Sequence, residues 1–293
     1  MNVPSEAGRQ IFAKASSLSY LGGAAFPFVF GWMMDNFLEA WRWIFFGTSL
    51  ISLGLILIQS RITVPLIKNP LNQAENSLLQ TLIHPWKNVW SILKQRRDFL
   101  HFQLAFMLGG FGLMIMKPAL PQFVAEHLRL SYTEIGVAIA LCKGIGYAAT
   151  SNLWGRWMGM VNIYTFIACV TLMAALFPLG IILSEKTLTL FYGAWVIYGI
   201  MQAGSEMGWK MSGPIFSGAG DSSQYSTVNV LMVGIRGCIA PPLGALLVSE
   251  GFSFEMMILS SLLCLFACLY SILSSRFALH RKLRIRNTNA FNH

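Results

Sequence analysis

Charged residues are scarce in this chain. Only 11% of its 293 residues are Asp, Glu, Lys or Arg, whereas soluble domains carry about 25%. Hydrophobic residues make up 55% of the chain, and its mean hydropathy is +0.58. The apolar runs last about twenty residues and lack strict alternation of polar and apolar positions, which indicates membrane helices rather than a barrel. The composition therefore excludes an ordinary soluble domain and predicts an all-α polytopic membrane protein.

Enzyme and metal motifs are also missing from the sequence. It contains no Gly-rich phosphate loop, no Ser/His/Asp order typical of hydrolases and no paired metal ligands. The five cysteines all lie in apolar runs, without the spacing of a zinc site or a disulfide framework. We therefore expect no catalytic residue, no metal and no cofactor.

Acidic residues are few, with 12 Asp and Glu against 21 Lys and Arg, for a formal net charge of +9. In a soluble protein this excess would indicate nucleic acid as a partner. In a membrane protein, cytoplasmic loops rich in Lys and Arg account for it. No nucleic-acid partner is expected.

The apolar runs predict eight transmembrane helices, each long enough to cross about 30 Å of hydrocarbon. The predicted spans are Ala15–Met34, Trp41–Ser60, Phe99–Val124, Ile135–Trp154, Asn162–Leu183, Leu188–Trp209, Tyr225–Val248 and Phe254–Phe277. With eight spans, both termini lie on the same side of the membrane. Fifteen Lys and Arg residues fall on that side and three on the other, so both termini are expected in the cytoplasm.

One long connector, residues 61–98, separates two spans from the other six. Trp86, Val89, Trp90 and Leu93 recur in it at helical spacing, which predicts an amphipathic helix at the membrane surface, starting near Pro85. The alternative is an ordinary linker that happens to contain two tryptophans. The predicted domains are a two-helix segment, the cytoplasmic linker, a six-helix half and a basic cytoplasmic tail: residues 1–60, 61–98, 99–277 and 278–293.

A weak internal repeat pairs residues 23–27 with residues 237–241, each starting at a glycine and ending at a proline. A glycine and a proline one turn apart let helix backbones approach and bend the helix. Duplicated halves are common in transporters. The repeat predicts four helix-packing residues: Gly23, Pro27, Gly237 and Pro241.

Four ionisable side chains lie inside apolar runs, namely Lys117, Lys143, Glu206 and Arg236. A charge at the centre of a membrane helix costs about 2.5–3.5 kcal/mol on insertion scales, so it persists where a pore, a partner charge or a polar ligand offsets that cost. Three of the four are cationic, so the interior that they would face is net positive. This pattern predicts a membrane-embedded site for a small polar solute and favours an anion.

Arg236 is the strongest candidate for contact with the solute, because Gly234 and Gly237 would leave room for its long side chain. A guanidinium can hold a carboxylate or a phosphate through two parallel hydrogen bonds. The alternative is a structural ion pair with Glu206 or an interaction with a helix C-terminus.

The other candidates also have two interpretations. Lys143 is favoured as a solute-binding residue, whereas Lys117 either binds solute or extends its ammonium to the interface. Gln202 and Asn229 either bind solute or bond a neighbouring helix. Glu206 either pairs with Lys210 one helical turn away or takes up and releases the proton that drives transport.

The order of these features resembles the major facilitator superfamily of secondary transporters. Residues 152–156 (Asn-Leu-Trp-Gly-Arg) resemble the second copy of that family's cytoplasmic loop motif, which implies a gating role for Gly155 and Arg156. The motif normally has an Asp before the basic residue and further basic residues after it, and both are missing here. Other segments resemble the turn before helix five, helix five, the start of helix six and helices ten to eleven: residues 4–9, 22–35, 41–45 and 212–244.

This resemblance implies one complete six-helix half and the last two helices of the other half, with four N-terminal helices missing. It implies secondary active transport of a small solute by alternating access, in a lipid bilayer that is most simply a bacterial inner membrane. The chain would then be a truncated coding sequence, a fragment of a longer protein, or one piece of a split transporter whose missing N-terminal part is a partner subunit. The alternatives are a non-transporting scaffold or receptor derived from a carrier, and a membrane-embedded enzyme.

Overall fold

The computed structural model describes residue 23 and residues 25–61, 78–218 and 220–290. Helices and turns account for this part of the chain, and it contains no strand, so the predicted all-α fold is confirmed. The helices are 25–36 (α1), Ala40–Ser60 (α2), Leu78–Gln95 (α3), Arg97–Ile115 (α4), Ala119–Phe123 (α5), Tyr132–Val137 (α6), Lys143–Met158 (α7), Ile163–Leu183 (α8), Leu188–Ser217 (α9), Ser223–Ser249 (α10) and Ser253–Ala290 (α11). Two π-helical turns, Val124–Leu128 and Ala138–Cys142, follow α5 and α6.

The predicted spans Trp41–Ser60, Asn162–Leu183 and Tyr225–Val248 agree with α2, α8 and α10 to within two residues. The predicted spans Phe99–Val124 and Ile135–Trp154 do not form single α-helices, because α4 ends at Ile115, before Pro118, and a π-helical turn separates α6 from α7. α9 continues past Trp209 to Ser217, and α11 continues into the predicted tail to Ala290. Among the described residues, five segments are long and apolar enough to cross a membrane: α2, α4, α8, α10 and Ser253–Arg276. The predicted number of eight spans stays a prediction. Residues 4–9, residues 15–22 of the first predicted span and residues 62–77 of the connector lie outside the described residues.

The connector helix begins earlier than predicted. α3 begins at Leu78, so Pro85 lies in its interior and not in its first turn. Apolar residues continue at helical spacing on both sides of Pro85, and this periodicity outweighs the loss of one backbone donor. Val89 and Leu93 are buried, whereas Trp90 is 62% exposed. The location of this helix at a membrane surface stays a prediction.

The chain forms two compact units, Met1–Asn88 with Ser131–Val137, and Val89–Leu130 with Ala138–His293. In the first unit, the backbone N–H groups of Tyr132 and Thr133 donate to the Asp35 carboxylate at 2.9 and 2.7 Å. A hydrogen bond from the Thr133 hydroxyl, together with these two, lowers the pKa of Asp35. The carboxylate therefore satisfies donors that the start of α6 would otherwise leave unpaired. The four predicted domain boundaries stay predictions.

The second unit is a helical bundle around an aromatic core. In it α8 packs against α9 and α11, α4 packs against α11, and α7 packs against α9. Phe99, Phe102 and Phe166 are almost completely buried in this core. α8 begins at Ile163 because the Asn162 side chain accepts a hydrogen bond from the Thr165 N–H at 2.8 Å, a typical N-cap.

Glycines allow α7 and α9 to lie in close contact. Gly146 faces the carbonyl of Val196, and Gly199 faces the carbonyl of Lys143, with no space for a Cβ atom at either glycine. Small residues of this kind let helix backbones approach in a membrane. The surface where α7 meets α9 also carries Lys143, so this contact fixes the position of one candidate residue.

The packing residues predicted from the internal repeat differ in the contacts that they make. No described atom lies within 4 Å of the Cβ position at Gly23 or Gly237, since both residues are exposed. The described part of the chain therefore gives no helix contact at these two glycines. The carbonyl of Pro27 lies against Gly136 within the first unit, and Pro241 lies inside α10.

Candidate functional site

A cavity of about 170 Å³ lies in the second unit between α4, α8, α9 and α10. Arg236, Lys117 and Gln202 all line it, so the structure brings together three of the five predicted solute-binding residues. Thr171, Tyr198 and Ser205 add further hydroxyl groups to the wall. Among the residues that line this cavity, two are cationic and none is a carboxylate. The cavity is therefore electrostatically suited to an anion.

Arg236 is 9% exposed and projects from the middle of α10. Its Nη1 donates a hydrogen bond to the Phe106 carbonyl oxygen at 3.3 Å, and its guanidinium carbon lies 5.9 Å from the centroid of the Phe106 ring. Within the described residues its Nε makes no hydrogen bond, and the side chain forms no ion pair. The alternative of a structural pair with Glu206 is therefore absent from the described contacts.

The space for the guanidinium comes from a different glycine than predicted. A Cβ atom on Gly110, in α4, would overlap Nη1 of Arg236. Gly234 and Gly237 have no described atom within 4 Å of their Cβ positions, so they do not make room for it. The reason is that the guanidinium extends from α10 to the neighbouring helix, and sequence proximity does not report contacts across helices.

The two lysines differ in their relation to the cavity. Lys117 lies in the turn between α4 and α5, where Pro118 follows it, and its exposed side chain lines the cavity. Lys143 does not line the cavity. Its Nζ lies 5.6 Å from the centroid of the Tyr198 ring, which does line it. Lys143 is thus adjacent to the site through a cation–π contact.

Gln202 and Asn229 also differ in their relation to the cavity. Gln202 lines the cavity, and its Oε1 makes no hydrogen bond within the described residues. Asn229 is buried away from the cavity, where it accepts a hydrogen bond from the Gln103 side chain and donates one to the Ser212 hydroxyl at 2.7 Å. Asn229 therefore connects three helices, which is the alternative that we gave for it.

Three polar side chains near these residues were not predicted. Gln103 satisfies the criterion that selected Gln202, a neutral amide inside an apolar run, and could have been found. Tyr198 and Tyr147 could not, because a tyrosine in a membrane helix is common and nothing in the sequence marks its contacts. Tyr147 donates a hydrogen bond to Glu206 Oε2 at 2.6 Å.

Glu206 lies in a separate, partly open region. Its Oε1 lies 2.6 Å from the Lys210 Nζ, and Lys210 is largely exposed, so the predicted i,i+4 pair is present. Exposed helix pairs of this type contribute about 0.3–0.5 kcal/mol. Glu206 and Arg236 line different cavities, the former together with Tyr147 and Ser151.

The residues predicted for a gating loop lie in a helix. Gly155 and Arg156 are exposed residues of the last turn of α7, which ends at Met158. A cation in the last turn interacts favourably with the helix dipole, which explains the extension of the helix through Arg156. Their gating role stays a prediction.

Comparisons with known proteins identify the family. The model of the Major Facilitator Superfamily matches residues 3–204, a segment that includes Lys117, Lys143 and Gln202 and ends before Arg236. No curated protein and no solved structure matches the chain. Among the described residues, no group of three or more His, Cys, Asp or Glu could hold a metal ion. Because the match covers more than half of the chain, the protein belongs to the Major Facilitator Superfamily and is a multi-pass membrane transporter of that family.

Proposed function

We propose that this chain moves a small organic anion across a membrane and that Arg236 binds the anion during transport. The observation that carries the proposal is a buried guanidinium whose Nε has no hydrogen-bond partner among the described residues, on the wall of a cavity without carboxylates. Its one hydrogen bond, to Phe106, leaves other N–H donors for a ligand.

Magnitudes favour an anion over a neutral solute. Two opposite unit charges 4 Å apart attract by about 4 kcal/mol at an effective dielectric constant near 20. That is of the same order as the cost of about 2.5–3.5 kcal/mol for inserting an arginine at a membrane centre. A bound carboxylate would thus offset the cost of keeping Arg236 in the helix, which a neutral solute would not.

The size of the cavity supports a small solute. Its volume of about 170 Å³ lies below the range of about 300–1,000 Å³ typical of sites for drug-sized ligands. Lys117, Lys143 and Gln202 would complete the polar surroundings of the anion. Asn229, which lies outside the cavity, would act through the position of α10.

The proposal also includes the orientation of the chain in the membrane and the coupling of transport to protons. The excess of Lys and Arg on one side supports cytoplasmic termini. The membrane would most simply be a bacterial inner membrane. Alternating access would expose the site to each side in turn. Glu206 would carry the coupled proton, and to take it up the carboxylate would have to release Lys210 and Tyr147, whose contacts favour its charged form.

Uptake by the full chain in proteoliposomes tests this function. With an inward proton gradient, radiolabelled lactate is expected to enter faster than into empty liposomes, while the neutral analogue 1,2-propanediol shows no such difference. Arg236→Gln should reduce uptake at least tenfold, and Arg236→Lys should reduce it less, because a charge remains without the planar fork.

Lys186→Gln is the matched control, since it removes one exposed positive charge outside the cavity. It should transport as the wild type does. Equal uptake by the wild type, Arg236→Gln and empty liposomes would contradict the proposed function.

A further inference from the structure

An apolar groove of about 380 Å³ opens on the second unit between α4, α10 and α11. Leu104, Leu108, Ile239 and Phe266 contribute to its walls, and Leu104, Ile239 and Phe266 are 46%, 51% and 61% exposed. In a membrane-spanning protein, such side chains lie at the level of the lipid chains. The exposed apolar walls of the groove are thus suited to contact with hydrocarbon rather than with water.

Arg236 is the one charged residue among those that line this groove. It also lines the polar cavity described above, so its guanidinium is shared between an apolar and a polar space. Arg236 is more than nine-tenths buried, and its Nε makes no hydrogen bond within the described residues. A lipid chain alone leaves this donor unsatisfied, and a buried donor without a partner is unfavourable.

We propose that the groove binds a long-chain fatty acid, with the acyl chain along α4, α10 and α11 and the carboxylate on the Arg236 guanidinium. The planar guanidinium matches a carboxylate geometrically, and the charges are complementary. The apolar walls match a single hydrocarbon chain, and the volume lies within the range of about 300–1,000 Å³ typical of ligand sites. A neutral lipid would leave Arg236 without a counter-charge.

This inference goes beyond the proposed function, because a small anion in the polar cavity does not need the groove. Oleate partitions into the bilayer through its long chain, whereas hexanoate remains mostly in water, so oleate reaches the groove at the higher local concentration. Oleate should therefore bind much more tightly than hexanoate. Methyl oleate, which has the chain but no charge, should bind weakly.

Binding of radiolabelled oleate to the full chain in phosphatidylcholine nanodiscs tests the inference. Ile239→Trp fills the groove from a residue that does not line the polar cavity and should weaken oleate binding about tenfold. Arg236→Gln should weaken it to a similar extent. Leu246→Trp is the control, because Leu246 is an exposed residue of α10 outside the groove, and this variant should bind oleate as the wild type does.

Two results would overturn the inference: wild-type affinity for oleate in Ile239→Trp, or equal affinity of the wild type for oleate and methyl oleate. Either would mean that ordinary bilayer lipid occupies the groove. The uptake assay separates this failure from a failure of the proposed function, because lactate uptake that depends on Arg236 would then still be observed. Specific oleate binding without lactate uptake would support the groove and contradict transport of small anions.

Discussion

At the scale of single residues, the site depends on what surrounds one guanidinium. Arg236 was found from the sequence because a charge inside an apolar run is costly and therefore informative. Gly110 was not found, because a glycine in a membrane helix carries no sign of the side chain that another helix places against it. The described contact between these two residues explains how α4 and α10 accommodate an arginine between them.

Gly110→Ala should reduce transport without reducing the stability of the fold. The new Cβ would overlap Nη1 of Arg236, but the guanidinium is the far end of a flexible side chain and can move away. We therefore expect lactate uptake to fall several-fold while the unfolding temperature stays close to that of the wild type.

Gly234→Ala is the control for this substitution, because Gly234 is in α10 near Arg236 and has open space at its Cβ position. It should retain both uptake and unfolding temperature. Normal uptake by Gly110→Ala would show that the observed position of the guanidinium is not required for transport.

At the scale of helices, the hydrophobic pattern predicted where the helices lie, and the differences are at helix ends and inside two predicted spans, where α4 ends at Ile115 and a π-helical turn precedes α7. α2, α8 and α10 begin and end near the predicted residues, because apolar length sets a membrane span. α9 and α11 continue beyond the apolar segment, since a polar residue outside the hydrocarbon is compatible with a helix. The start of α3 was wrong because Pro85 was taken as a first-turn residue, whereas the helix includes it in its interior.

The contact between α7 and α9 predicts the effect of one glycine substitution. Gly199→Ala places a Cβ against the Lys143 backbone carbonyl, which cannot move as a side-chain end can. Overpacking of this kind costs about 1–3 kcal/mol. The unfolding temperature in detergent should therefore fall by several degrees.

Gly193→Ala, in the same helix but with no described atom within 4 Å of its Cβ position, is the control. An exposed Gly→Ala change in a helix is neutral or stabilising by up to about 1 kcal/mol. The same loss of stability in both variants would argue against a specific contact between α7 and α9.

At the scale of the whole molecule, the sequence was sufficient for the family and for the membrane fold, and the structure added the grouping of the polar residues. Lys117, Gln202 and Arg236 are far apart in the sequence and line one cavity. Asn229 and Glu206 satisfied the same sequence criterion and lie elsewhere. The hydrophobic pattern gives the position of a residue along a helix, but the face that it shares with other helices depends on packing.

The central claim is that the cavity is net positive and admits an anion, and thiol labelling in it tests this claim most directly. In a variant without the five native cysteines, Ser205→Cys places one thiol on the cavity wall. Two methanethiosulfonate reagents, one with an anionic sulfonate and one with a cationic trimethylammonium group, report the local potential through the ratio of their rates. Relative to a free thiol in solution, the anionic reagent should be favoured by roughly tenfold, at the lower end of known electrostatic effects on association. Arg236→Gln should remove most of this preference, whereas a thiol that neither reagent modifies, or one that the cationic reagent modifies faster, would contradict the account.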